Sequence, residues 1–167
     1  MKFVLNLGET KAFTRLSDST EDGVLTLCLE TAHFLIEAFL GQKLLTQECV
    51  LPIKPIQSRI KLPYGPVQCV TSVTAILPTL PDSVACQYTW KDQTVDVILP
   101  EAIKQKSQSL IVAYKCGYGD NPQDVPAPIR QAILMACADL FEHRGDVPAT
   151  ERPWQKLAAP YRRIFFE

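Results

Sequence analysis

The chain has 167 residues, 47% hydrophobic and 21% charged, which suffices for one domain with a substantial core. Seventeen basic and eighteen acidic side chains leave a net charge of −1; this disfavours tight nucleic-acid binding, whose affinity comes from counterion release by a basic excess. The six cysteines (28, 49, 69, 86, 116 and 137) lie no closer than 17 residues apart and are joined by only His33 and His143, which argues against a zinc module and its closely spaced ligand pairs.

The N-terminus, Met1 to Glu9, carries an apolar stretch too short for a signal-peptide core. No apolar run approaches the roughly 20 residues of a membrane span, so no membrane partner is expected. The cysteines are accordingly expected to be reduced and buried as small hydrophobes.

Asn6 followed by Glu9 fits a capping box and predicts a helix over Leu7 to Leu16, with Ala12, Phe13 and Leu16 as its apolar contacts. Ser19 with Asp22 reads as a second cap. A long helix follows from Thr20 or Glu21 to Leu40, stopped by Gly41. At 100° per residue, Thr26, Glu30, His33 and Glu37 form one narrow polar stripe, and apolar residues occupy nearly all the rest. An ordinary surface helix has an apolar arc only slightly over 100° wide. This helix must be covered on more than one side, by its own domain or by another subunit. His33, on the polar stripe, is expected in solvent.

From Lys43 to Lys115 the prolines are too frequent for long helices. Strands are expected near Leu44–Leu51, Gln57–Leu62, Gln68–Leu77, Val84–Trp90, Thr94–Leu99 and Ser109–Lys115. Val70, Ser72, Thr74 and Ile76 alternate with Thr71, Val73, Ala75 and Leu77, and neither set is clearly polar, so this strand is expected to be covered on both faces. Trp90 to Thr94 reads as a hairpin turn and Pro63-Tyr64-Gly65-Pro66 as a rigid one. The expected class is α+β: helices from both chain ends packed together, with an inserted antiparallel β-sheet or small sandwich, all in a single domain spanning 1–167.

Gly117 and Gly119 permit positive φ where the last strand ends. Asp120-Asn121-Pro122 is a turn, and Pro126 and Pro128 suit the start of a helix over Ala127 to His143. Ile129, Ile133, Ala136, Cys137 and Leu140 form its apolar stripe. Met135 and Ala138 lie on the polar side, where a methionine is either an ordinary exposed residue or an inexpensive interface contact. Residues 145–167 read as a loop, a short helix over Pro153 to Ala159, and a tail, Tyr161 to Glu167, apolar and basic enough to dock on its own domain or on a neighbour.

Catalytic patterns are missing: no GxxxxGK[ST], GxSxG, HExxH or EF-hand, and Gly117-Tyr118-Gly119 lacks the third glycine of a dinucleotide loop. His143, at a helix C-terminus, is explained by capping. Asp120, Asp124 and Glu142 can act as acid and base only if the fold brings them together. Neither an enzyme nor a cofactor is expected.

Three runs carry a resemblance: Tyr114-Lys115-Cys116-Gly117-Tyr118-Gly119-Asp120, Val125-Pro126-Ala127-Pro128-Ile129-Arg130-Gln131-Ala132-Ile133-Leu134 and Leu140-Phe141-Glu142-His143-Arg144. In that order they resemble the head–tail connector (adaptor) family of long-tailed phages, prophages and gene transfer agents, whose members read "Y-x-x-GYG", "VPxPIRQAIL" and "LYENR". Leu157-Ala158-Ala159-Pro160-Tyr161-Arg162-Arg163 is similar to the "LLAPYRR" ending of one branch. Pro66 to Val73 is similar to a "PVQSVTSV" strand, and Glu9 to Leu16 loosely to an "EAKxHLR" helix. Gln42 stands where the family's "YxGR" stretch has arginine. The resemblance covers nearly the whole chain and implies a non-enzymatic virion protein at the head–tail junction, made in the host bacterial cytoplasm. It implies a ring of twelve copies below the portal protein that extends the DNA channel toward a tail-side connector or terminator. DNA would pass without sequence-specific binding. Residues expected at the subunit or portal interface are Leu27, Phe34, Met135, Trp154, Tyr161, Arg162, Arg163, Phe165 and Phe166. The other reading is an accessory or tail-completion interaction domain that forms no ring.

Overall fold

The structure, a computed structural model, describes residues 3–78, 83–143 and 152–163. The chain divides into two compact units, one made of both chain ends (1–45 and 118–167) and one of the middle (46–117). The α+β class holds, with terminal helices packed together and antiparallel strands between them in sequence.

In the first unit, α1 (Leu7–Thr14) starts at the expected capping box. Glu9 N–H donates to Asn6 Oδ1 and Asn6 N–H donates to Glu9 Oε2, both at 2.9 Å. The buried residue of α1 is Thr10, whose hydroxyl donates to the Asn6 carbonyl, while Ala12 and Phe13 are exposed, contrary to expectation. α2 (Asp22–Leu40) ends at Gly41 as expected, but its N-cap is Glu21 and no side chain caps it. Asp22, expected to cap with Ser19, is an ion-pair partner of Lys11 Nζ at 2.7 Å, and so ties α2 to α1.

α2 is long and apolar enough to cross a membrane by length and composition alone. Its packing is that of a core helix: Leu25, Leu29, Ala32, Ile36 and Leu40 are buried in one cluster with Ile129, Ala132, Ile133, Ala136 and Cys137 of α4 (Ala127–Glu142). Burial, reinforced by Cys28, pushes the Cys137 thiol up to about 12, so it packs as a neutral small hydrophobe. α5 (Pro153–Ala158) and a 3-10 turn (Ala159–Tyr161) close the unit, with Trp154 and Ala158 in the same cluster.

The junction before α4 is held by its own short-range bonds. Gly117, at the end of the other unit, has φ 131°, which favours glycine. Gly119 is not in that region; its requirement is steric, because a Cβ there would lie 2.2 Å from Asp124 Oδ2. Asp124 occupies that space because it closes a 3-10 turn (Pro122–Asp124), accepting from Asn121 N–H at 2.9 Å.

The second unit is a small sandwich. One sheet has the order β1 (Gln47–Ile53), β7 (Ser109–Cys116), β3 (Val67–Ile76), β4 (Ser83–Ala85); the other has β2 (Arg59–Lys61), β6 (Thr94–Ile98), β5 (Gln87–Lys91), and every pairing is antiparallel. Ile60, Val95 and Val97 of the second sheet share a core with Val70, Val73, Ala75, Leu110, Val112 and Tyr114 of the first. Pro52 is tolerated because β1 is an edge strand, paired only with β7. The β5–β6 hairpin turns at Asp92 and Gln93, with Asp92 at φ 54°.

Three expectations fail here for stated reasons. Val84 to Trp90 is not one strand: the chain leaves the first sheet after Ala85 and enters the second at Gln87, as strands do at sandwich corners. β3 is not covered on both faces: Gln68, Cys69, Thr71 and Ser72 are exposed, and register shifts between Val67 and Cys69 and between Val70 and Ser72 set the inward face at Val70, Val73 and Ala75. A short helix, α3 (Glu101–Lys106), follows Pro100 where no element was expected; six residues are too few to show a period. The cysteines also differ. Only Cys116 and Cys137 are buried, whereas Cys69 is exposed and Cys28, Cys49 and Cys86 are half-buried.

Candidate assembly surface

The outward side of α2 inverts the usual distribution of charge. Its exposed residues are Gly23, Val24, Thr26, Leu27, Thr31, Phe34, Leu35 and Ala38, and not one is charged. Its ionisable residues are drawn inward instead: Asp22 and Glu30 are half-buried, and His33 and Glu37 are buried. Val24, Leu27, Phe34 and Leu35 run about 17 Å along the helix, at 1.5 Å per residue. Phe3 packs edge-on against Phe34, with ring centroids 6.4 Å apart, and against His33 at 5.3 Å.

The polar stripe expected to face solvent is therefore partly core, and the correction has a local cause. Glu37 accepts from Lys43 Nζ at 2.7 Å and from the Leu44 N–H at 3.0 Å, and His33 Nε2 lies 3.6 Å from it. Burial by itself would raise the Glu37 carboxyl, but the bonds from His33, Lys43 and Leu44 outweigh it and hold the carboxyl below its ordinary value. A fully partnered carboxylate can be buried where an isolated one cannot. Phe34 and Leu27 lie only about 60–80° around the helix from Glu37, and both are exposed.

The C-terminal segment docks on its own unit. Trp154, expected at an interface, is only 7% exposed and its ring meets Phe39 edge-on at 5.5 Å. Gln42 Nε2 donates to the Tyr161 carbonyl at 2.7 Å, Tyr118 Oη donates to Gln42 Oε1 at 2.6 Å, and the Arg163 N–H donates to the Leu40 carbonyl at 3.0 Å. Gln42 and the Arg163 N–H thus tie the tail to the end of α2. Arg162 lies exposed over the Phe39 ring at 5.1 Å. Arg144, the loop 145–151, Phe165 and Phe166 lie outside the described residues.

Met135 is half-buried and lines a groove of about 240 Å³ with Phe13, Ala138, Asp139, Glu142, His143, Pro153 and Trp154. Asp139 is paired there with His143 Nδ1 at 3.1 Å and with Arg152. The structure therefore brings Met135 and Trp154 together, gathers Tyr161, Arg162 and Arg163 around the end of α2, and places Leu27 and Phe34 on the uncharged stripe. The exposed Val24 and Leu35 belong to that stripe and were not singled out from sequence; their spacing from Leu27 and Phe34 was the available signal.

Asp124 and Glu142 are not brought together as an acid–base pair. Asp124 caps the turn before α4 and Glu142 ends that sixteen-residue helix, which separates them by about 20 Å at 1.5 Å per residue. Among the described residues, no group of three or more histidine, cysteine or acidic side chains could hold a metal ion.

No protein-family model matches the chain, and no curated protein matches it. Solved structures do. A chain of "Virion of native gene transfer agent (GTA) particle" is 20% identical, with a TM-score of 0.77 over 98% of this chain and 92% of that one. A chain of "Neck of empty GTA particle computed with C6 symmetry" is 18% identical, with a TM-score of 0.75 over 98% and 92%. A chain of "Neck of native GTA particle computed with C12 symmetry" is 17% identical, with a TM-score of 0.75 over 98% and 91%. At such identities the likeness establishes a shared fold along essentially the full length of both chains.

Proposed function

We propose that this protein is a structural subunit of the neck of a tailed phage-like particle. Copies assemble as a ring of twelve at the head–tail junction, below the portal protein, and continue the DNA channel toward a tail-side connector or terminator. The observation that carries this reading is the full-length fold likeness to chains of particle necks, two of them from reconstructions with cyclic symmetry. The uncharged outward face of α2 supports it, because a ring subunit needs a lateral contact that a monomer does not. Leu27 and Phe34 make that contact, with Val24 and Leu35 beside them. Met135 in its groove and the exposed Arg162 are further contacts, and the tail beyond Arg163, with Phe165 and Phe166, reaches a neighbour or the portal. Trp154 acts indirectly, by seating the tail.

The lateral contact in a ring is heterologous: the stripe meets a different surface of the next copy, not another α2. A net charge of −1 lets DNA slide, since strong phosphate binding would retard it. The role requires no catalytic step and no cofactor. The test is electron microscopy of the protein mixed with its portal protein. Rings stacked on the portal are expected; binding as single copies would favour the accessory-domain reading, and no binding would overturn both.

A further inference from the structure

The sandwich unit contains a pair of thiols that the assembly reading does not use. Cys49 of β1 and Cys116 of β7 have their Sγ atoms 3.1 Å apart. Their strands are adjacent, with Cys49 opposite Tyr114 and Cys116 opposite Gln47, so the two thiols are diagonal neighbours on one face of the sheet. That face is the core face: Cys116 is buried, Cys49 half-buried, and the Tyr114 phenol lies beside them with the Tyr64 N–H donating to its oxygen at 3.4 Å. β1 is an edge strand, bonded on one side only, so it can move toward β7 without breaking a second ladder.

We propose that Cys49 and Cys116 form an oxidation site, a dithiol that a small disulfide of the glutathione type closes into an intrachain disulfide joining β1 to β7. Exposure sets the order of events. The Cys49 thiolate attacks one sulfur of the oxidant, forming a mixed disulfide and releasing one small thiol. Cys116 then loses its proton to solvent, its sulfur attacks Cys49 Sγ, and the second small thiol leaves. Two protein thiols are oxidised, one disulfide is reduced to two thiols, and no other reagent is needed. Bonding requires the sulfurs to approach from 3.1 Å to about 2 Å, a movement of about 1 Å that rotation of Cys49 on its edge strand can supply. The bond would link residues 67 apart in sequence, and cross-links that close long loops restrict the unfolded chain most.

The full-length folded protein is incubated with glutathione disulfide, quenched by alkylation and mapped by peptide mass spectrometry. The exposed Cys69 reports that the oxidant is active. The expected result is a Cys49–Cys116 cross-linked peptide, lighter by two hydrogens, in most chains. A thermal midpoint several degrees above that of the reduced protein and reversal by dithiothreitol should accompany it. Cys49→Ser should leave Cys116 unmodified, and Cys116→Ser should leave a stable glutathione adduct on Cys49. The proposal is overturned if Cys69 reacts fully while Cys49 and Cys116 stay alkylatable, or if Cys49 of the unmutated chain keeps a stable glutathione adduct. The wild-type arm decides even if a variant fails to fold.

Discussion

Replacing Leu27 and Phe34 together with glutamine removes the centre of the α2 stripe without touching the core. Leu27 is 64% exposed and Phe34 44%. Fully burying such a side chain contributes about 1.5–3 kcal/mol, so covering the exposed parts contributes about 1–2 kcal/mol for Leu27 and about 1 kcal/mol for Phe34. The loss of about 2–3 kcal/mol per lateral contact corresponds to a roughly 30- to 150-fold weaker association. Glutamine is a good helix former and neither side chain belongs to the core cluster, so the subunit itself should lose only the packing of Phe34 on Phe3 and His33, about 1 kcal/mol. Circular dichroism melts should therefore shift down by a few degrees at most. Ring formation, followed by sedimentation velocity over a concentration series and by electron microscopy with the portal, should need far more protein. The reasoning fails if the variant forms rings at wild-type concentrations. It fails equally if the variant melts well below wild type, because the stripe would then belong to the fold.

Other outcomes follow from the same geometry. Trp154→Ala should lower the stability of the helical unit by about 3–5 kcal/mol, the range for truncating a buried tryptophan, read by denaturant unfolding; a change within error would return Trp154 to the surface. Glu37→Gln should destabilise the protein at neutral pH. The folded carboxyl lies below its ordinary value of 4.5, so its contribution is complete above that value and disappears as pH falls through the lower folded one. The gap between variant and wild type should accordingly narrow in acid, and a gap independent of pH would contradict this account. Gly119→Ala should cost about 1–3 kcal/mol through its clash with Asp124, and Asp124→Gly about 1–2 kcal/mol through the lost cap and the freer backbone. The double variant should cost less than the sum, because Asp124→Gly removes Oδ2, Cγ and Cβ, the three atoms that the added methyl would meet; additive costs would refute the steric reading.

Features set by near neighbours in the chain are legible in the sequence alone. The Asn6–Glu9 capping box, the stop at Gly41 and the two-residue turn at Asp92 and Gln93 each depend on atoms a few residues apart. The ordered motifs around Gly117 and Pro126 point to the fold that the particle-neck chains share. The candidate surface is legible only in part. Leu27 and Phe34 stand out because a helix apolar almost all round needs a second cover, whereas Trp154 proves to be core because Phe39 is there to receive its ring.

Local chemistry in the linear order of residues thus decides where helices and turns begin and end, and that much of this protein is written in short windows of its sequence. Which side of an element faces inward is decided by partners far along the chain. α2 has apolar residues on nearly every side, so its own pattern selects no inner face; Lys43 and the Leu44 N–H select one by satisfying Glu37, and α4 completes it. β3 likewise alternates between two unpolarised sets until its shifted register on β7 chooses Val70, Val73 and Ala75. In both cases the physical reason is the same: burial is a property of pairs of surfaces, and the second surface is supplied only when the chain folds.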